Sequence, residues 1–159
     1  MNKVFTLGHS THPVLRVIEL LQQHGVTAVC DVRSQPYSRR NPQFNREAFG
    51  QTLSEVGIAY VFLGKELGGR PEDPACYVDG RVDYERVART ALFAEGMRRL
   101  AEEAGKHRVA LVCAEKDPAD CHRALLVGRE ARERGWVVNH ILADGGLAAQ
   151  NDVVGGLLS

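Results

Sequence analysis

The feature that most constrains this chain is a regular alternation of short apolar runs with helical stripes. Residues 4–7, 28–32, 59–63, 109–113 and 137–142 read as buried strands. Val14, Val17, Ile18 and Leu21 form one helical stripe, and Phe49, Leu53 and Val56 a second. A third stripe, over 83–104, drifts from Tyr84, Val87 and Ala91 to Phe93, Met97, Leu100 and Ala104. That drift predicts a kink, or two helices, near Thr90. A fourth stripe follows Cys121 through Ala124, Val127, Gly128 and Ala131. Strand and helix in strict alternation predict a three-layer α/β domain: a mainly parallel sheet of about five strands with helices on both faces. The 159 residues fit one domain, 1–159, with a motif-bearing core over about 4–142.

The two ends of this sheet differ in chemistry. Gly25, Gly57, Gly105 and Gly135 each follow a helix and precede a strand, where glycine closes a helix cheaply. Those connections are short and unreactive. The opposite loops carry Gly8-His9-Ser10-Thr11-His12, then Arg33 through Arg40, then Gly64 through Arg70, then Cys113 through Arg123, then Asp144-Gly145-Gly146. In doubly wound sheets the carboxyl edge of the strands is where ligands bind. A long Gly- and Pro-containing connection over 64–82 is a candidate lid on that edge. The tail from Gly145 reads as a short docking helix with Val153, Val154, Leu157 and Leu158 to bury.

Cys113-Ala-Glu115-Lys-Asp-Pro-Ala-Asp-Cys121-His122-Arg123 places two thiols, an imidazole and a guanidinium on one strand-to-helix turn. Asp117 with Pro118, or Asp120, caps the helix, which puts Cys121 in its first turn. The positive end of the helix, with His122 and Arg123 beside it, favours a thiolate, the nucleophilic form, while Glu115 and Asp120 oppose it. The plainer alternative is a small residue packing a helix terminus. Cys113 and Cys121 are near enough in sequence for a disulfide, or to share a metal with His122 or His9, although no fourth metal ligand is evident. Cys30 reads as core, and Cys76 as a loop residue.

The second loop holds Arg33, Arg39, Arg40 and Arg46 with no acidic residue between Asp31 and Glu47. Such a cluster suits an oxyanion: a phosphate-like small molecule or a nucleic-acid backbone. It also fits a solvated loop whose arginines pair with Asp31, Glu47 or surface acids. Asp31 beside Arg33 reads as an internal ion pair. His9 and Ser10 offer an acid–base group and a hydroxyl, whereas His140, inside a strand, reads as a core histidine. Formal net charge is zero, so bulk charge does not make the chain a polyanion binder. Sixteen of its twenty cations are Arg, a bias that genome composition explains and that also suits bidentate anion contacts. No dinucleotide fingerprint, P-loop or phosphatase-type Cys–Arg spacing occurs, and no cofactor is expected. No apolar run approaches the roughly 18 residues of a membrane span, and the first is too short for a signal peptide. The chain is therefore read as cytoplasmic, with its four cysteines reduced.

Four motifs in order, Thr6-Leu-Gly-His-Ser10, Asp31-Val-Arg33-Ser-x-Pro36-x-Ser38-Arg39, Leu67-Gly68-Gly69 and the cysteine turn, resemble the domain-of-unknown-function 488 family, also called YeaO-like. The resemblance runs over about 4–142. It implies a small cytoplasmic α/β domain without an established reaction. It carries over His9, Ser10, Asp31, Arg33, Ser38, Arg39, Gly68, Gly69, Cys113, Glu115, Cys121, His122 and Arg123. From the residues together, Cys121 is the candidate nucleophile or redox thiol, and His122, His9 and Glu115 are candidate proton carriers. Ser10, Arg33, Ser38, Arg39, Gly68, Gly69 and Arg123 are candidate substrate contacts. Two alternatives stay open: a nucleic-acid-binding module without chemistry, and a metal or redox site on Cys113 and Cys121.

Overall fold

Side chains alternate along each central strand and so feed two cores. Phe5, Leu7, Val29, Ala110 and Val112 point to one face, while Val4, Cys30, Val109, Leu111 and Val138 point to the other. The computed structural model describes residues 2–153. Its elements are β1 (Lys3–Gly8), α1 (Val14–Gln23), β2 (Ala28–Asp31), α2 (Arg46–Glu55), β3 (Ala59–Phe62) and the one-turn α3 (Gly64–Leu67). A small hairpin follows, β4 (Tyr77–Val78) and β5 (Arg81–Val82), then α4 (Tyr84–Ala88) and α5 (Ala91–Lys106). β6 (Val109–Cys113) leads through a 3-10 turn, Pro118–Asp120, to a π-helix, Arg123–Gly128, which continues as α6 (Arg129–Glu133). β7 (Val137–Ile141) and β8 (Leu147–Ala149) complete the sheet.

The main sheet has six strands in the order β3-β2-β6-β1-β7-β8. The five expected strands are parallel, and β8 pairs antiparallel with β7. β8 adds a sixth strand to the five expected parallel ones. Asp144-Gly145-Gly146 is a hairpin turn rather than part of the reactive edge. Gly145 takes φ +91°, and the Asp144 carboxylate accepts from the Gly146 N–H. Residues 147–149 then pair as a strand before a helical turn at 150–153. Of the tail residues expected to dock, Val154, Leu157 and Leu158 lie outside the described residues.

The drifting stripe resolves as two helices. The Thr90 hydroxyl accepts from the Phe93 N–H at 3.1 Å and caps α5 afresh. Gly25, Gly57 and Gly135 close their helices at φ +70°, +76° and +82°, whereas Gly105 stays inside α5.

Helices α1 and α2 cover one face of the sheet, while α5, the π-helix and α6 cover the other. β6 lies between β2 and β1, yet its chain exits toward the opposite face. The helices that follow β1 and β2 therefore lie on one face and those that follow β6 on the other. This is the topological switch point at which open α/β sheets form their binding crevice.

Candidate functional site

The β1 and β6 loops are zipped together beyond the sheet. His9 N–H donates to the Cys113 carbonyl at 2.8 Å, and Ser10 N–H to that of Ala114 at 3.0 Å. Ser10 sits at φ +50°, a conformation uncommon for serine. The Asp117 carboxylate caps the 3-10 turn by accepting from Ala119 N–H. Cys121 then lies in extended backbone and is not in the first helical turn. Its carbonyl accepts the N–H groups of Ala124 and Leu125, both at 3.1 Å, so it occupies the cap position. Its sulfur also accepts from Arg123 N–H at 3.4 Å. The π-helix that starts at Arg123 is a rare form, found mostly at functional sites.

His122 is held from one side and free on the other. Its Nε2–H donates to the Val32 carbonyl at 2.8 Å, which leaves Nδ1 as the basic nitrogen. Nδ1 lies 3.7 Å from Cys121 Sγ. Burial pushes His122 below the usual imidazole range, partly offset by its bond to Val32, and Arg123 adds to the lowering. Thiol, base and an orienting carbonyl thus stand in a line.

Arg123 is fully buried and, among the described side chains, has no carboxylate partner. It donates to Thr6 Oγ1 at 3.0 Å, Cys113 Sγ at 2.8 Å, the Glu115 carbonyl at 2.6 Å and the Lys116 carbonyl at 3.1 Å. Burial lowers it to about 10. Behind it runs a directed chain. Thr6 donates to His140 Nδ1 at 2.5 Å, His140 Nε2–H donates to Gln150 at 2.6 Å, and Gln150 donates to the Ala124 carbonyl at 2.7 Å. Arg123 is therefore no substrate contact; it supplies one N–H to each sulfur. Gly8 makes room for it, since a Cβ there would lie 1.6 Å from the Glu115 carbonyl oxygen and 2.9 Å from Arg123 Nη1. The sulfurs of Cys113 and Cys121 touch. Their Cα atoms are 7.6 Å apart, beyond the usual disulfide span of about 4.4–6.8 Å, so we describe two facing cysteines rather than a bridge.

Arg33 is the matched counterpart. Its Nε and Nη2 grip both Asp31 oxygens at 2.9 and 2.7 Å, and Tyr60 donates to the same carboxylate at 2.5 Å. Burial pushes the Tyr60 hydroxyl up, which keeps it a donor. Arg33 Nη1 donates to His9 Nε2 at 3.3 Å, while His9 Nδ1–H donates to the Ser10 carbonyl at 2.8 Å. Both His9 nitrogens are engaged, its ring stacks on Phe44, and burial lowers it to about 4. His9 is a neutral prop for Arg33, not a free proton carrier.

Three adjoining concavities run along this edge. A cleft of about 290 Å³ is lined by Arg33, Ser34, Gly69, Arg70, Cys113, Glu115, Cys121 and His122. A second, of about 430 Å³, shares Arg33 and Glu115 and adds His9, Ser10, Ser38 and Arg40. A third, of about 220 Å³, joins the first through Ser34, Gln35 and Arg70. Residues distant in sequence thus meet, Arg33 and Cys121 included.

Several expected contacts are placed otherwise. Exposed Arg39 lines none of these hollows; Arg40 of the same basic cluster does, as does Arg70, which was not among the expected contacts. Ser38 spends its hydroxyl accepting from the N–H groups of Arg40 and Asn41. Gly68 is packed shut, with a Cβ meeting Ser34 Oγ at 2.2 Å, while Gly69 lies against the His122 ring. Glu115 shows its side chain to both clefts but serves Arg123 through its carbonyl. Among the described residues no group of three or more His, Cys, Asp or Glu side chains is arranged to hold a metal, and no helix is long and apolar enough to cross a membrane.

The model of a family described as domain of unknown function DUF488 matches residues 13–129. The match takes in Arg33, the Gly68-Gly69 pair and the whole cysteine turn, and it begins after the Gly8-His9-Ser10 segment. No curated protein and no solved structure matches the chain.

Proposed function

Since the chain belongs to the DUF488 family, whose function is unassigned, its activity has to be argued from the rim of the sheet, and we propose a thiol-dependent enzyme acting on a small anion. The observation that carries this reading is the Cys121–His122 contact opening into the same cleft as Arg33 and Arg70. His122 Nδ1 takes the Cys121 proton, and the N–H of Arg123 steadies the thiolate at the helix cap. Three of the five Arg33 donors go to Asp31 and His9, which leaves two for a ligand. With Arg70 they hold the anion while Cys121 attacks an electrophilic atom of the same molecule. The bond to the leaving group breaks, and the proton on His122 passes to that group. Water then releases the covalent adduct. The zero net charge and the concave site favour a small molecule over a nucleic-acid backbone.

A second reading, a dithiol redox pair, is favoured by one specific observation: the Arg123 backbone N–H donates to Cys121 Sγ and its guanidinium to Cys113 Sγ. Cys113, beside a buried guanidinium that lacks a carboxylate among the described side chains, would then be the second thiolate.

Alkylation by iodoacetamide with peptide mapping tests the first reading. Cys121 should be labelled fastest at pH 6–7, and inorganic phosphate should slow it. Cys30 is an internal control, since burial pushes its thiol up to about 12. Equal labelling of Cys121 and Cys30, with no protection by phosphate, would sink the proposal. Reversible loss of two hydrogens, involving Cys113 and Cys121 together, would select the redox reading instead.

A further inference from the structure

The third hollow differs in character from the thiol cleft beside it. Phe62, Pro71, Cys76, Val87 and Leu92 give it apolar walls between α3, the 70–76 loop, the end of α4 and the start of α5. It shares Ser34, Gln35 and Arg70 with the thiol cleft, and the Arg70 N–H donates to Ser34 Oγ at 2.9 Å, which fixes that common boundary. Charges separate along the pair of hollows. Arg33 and Arg70 line the thiol cleft together with one acid, Glu115. The slot beyond carries Glu66, Glu72 and Asp73 with Lys65. An anionic group is thus favoured on the Cys121 side and disfavoured in the slot, whose walls suit an uncharged apolar body.

The geometry points to a bipartite substrate: an anion seated beside Cys121 and carried on a compact apolar ring that fills the Phe62–Leu92 slot. This rests on the anion reading above and names its substrate class. Arg70 spans both halves and sets the distance between charge and ring. The volume of the slot accommodates a single ring and not an extended polymer. An organic anion of this type therefore binds more tightly than the bare ion, because ring burial adds to the same charge contacts.

Isothermal titration calorimetry with phenyl phosphate and with inorganic phosphate, on the full chain at fixed ionic strength, tests the assignment. Phenyl phosphate should bind at least about tenfold more tightly, the gain expected for burying a ring of that size. Leu92 is 41% exposed, so Leu92→Asp spoils the slot without emptying the core. It should bring phenyl phosphate down to the affinity of inorganic phosphate and leave the latter unchanged. Arg70→Ala should weaken both. If the two ions bind equally to the unaltered protein, or if the advantage of the ring survives Leu92→Asp, the slot is not the ring's seat while the anion reading stands. If neither ion binds, the anion reading itself fails and the bipartite substrate fails with it.

Discussion

Two arginines are buried in this domain, and they are solved differently. Arg33 meets a carboxylate: Asp31 grips it through both oxygens, and the side chains of the pair are 6% and 0% exposed. Arg123 meets none among the described side chains; a hydroxyl, two carbonyls and a cysteine sulfur take its donors. Each arginine leans on a neutral histidine, Arg33 directly on His9 and Arg123 on His140 through Thr6. A buried cation without a counter-ion is costly, so a protein that keeps one has a use for its field. At Arg33 the field is cancelled locally and the guanidinium serves as a rigid edge. At Arg123 it falls on Cys113 Sγ, which the sulfur of Cys121 touches. The lesson is that the matched arginine builds the cleft while the unmatched one conditions its thiols.

The largest expected effect comes from breaking the matched pair. Asp31→Ala strands the Arg33 charge inside the protein and should cost about 3–5 kcal/mol, read as a shift in the urea midpoint. A loss under about 1 kcal/mol would mean that the pair is solvated and the contrast with Arg123 empty.

Acid should then strike both arginine props together. Burial holds His9 and His140 at about 4. The unfolded chain binds these protons first, so the stabilisation is complete above pH 6.5 and is lost as pH falls toward 4. Each site contributes at most about 3 kcal/mol to that loss. His140→Gln should be less stable at neutral pH and show a shallower decline between pH 6.5 and 4. An unchanged acid slope would remove His140 from the account.

Arg123→Met should be milder in stability, at about 1–2 kcal/mol, because no opposite charge is left behind and the two carbonyls lie near solvent. Its larger signature is chemical. Cys113, which accepts from the guanidinium, should react more slowly with iodoacetamide near neutral pH, Cys121, which keeps the Arg123 backbone N–H, should slow less, and Arg33→Met should leave Cys113 reactivity unaltered. Slowing by Arg33→Met and not by Arg123→Met would invert the roles assigned to the two residues.

The layered fold was legible because its signals are local. Apolar runs, helical stripes and glycines at one edge needed no tertiary knowledge. Arg33 with Asp31 was legible too, being two residues apart at a strand end. Arg123 was not. Its neighbours in sequence made it look like an anion contact, and only the π-helix and the close approach allowed by Gly8 show it facing inward. Its supports left a faint trace: Thr6 and His140 are buried polar residues in largely apolar strands, and they stand in register on β1 and β7. Pairing them required strand order, which no single strand encodes. Arg70 was hidden for a related reason. It lies in a loop without periodicity, and its place in the cleft depends on Ser34, thirty-six positions away.

The smallest expected change probes the contrast most finely. Gly69 lies against His122, and a Cβ there would sit 3.0 Å from the ring Cγ and 3.2 Å from Nδ1. That is tight enough to displace an imidazole by a few tenths of an ångström and loose enough to leave the fold standing. Gly69→Ala should therefore shift stability by under about 1 kcal/mol. The displaced nitrogen is the one that faces Cys121 Sγ at 3.7 Å, so the thiol loses its base while Arg123 keeps both of its sulfur contacts. Cys121 alkylation should slow several-fold near neutral pH, and the difference should vanish at alkaline pH, where the thiol ionises unaided. Cys113, which depends on Arg123 and not on His122, should keep its rate. Equal slowing at both cysteines would mean that the imidazole and the guanidinium act as one unit, and the division of labour between the two faces of the sulfur pair would be lost.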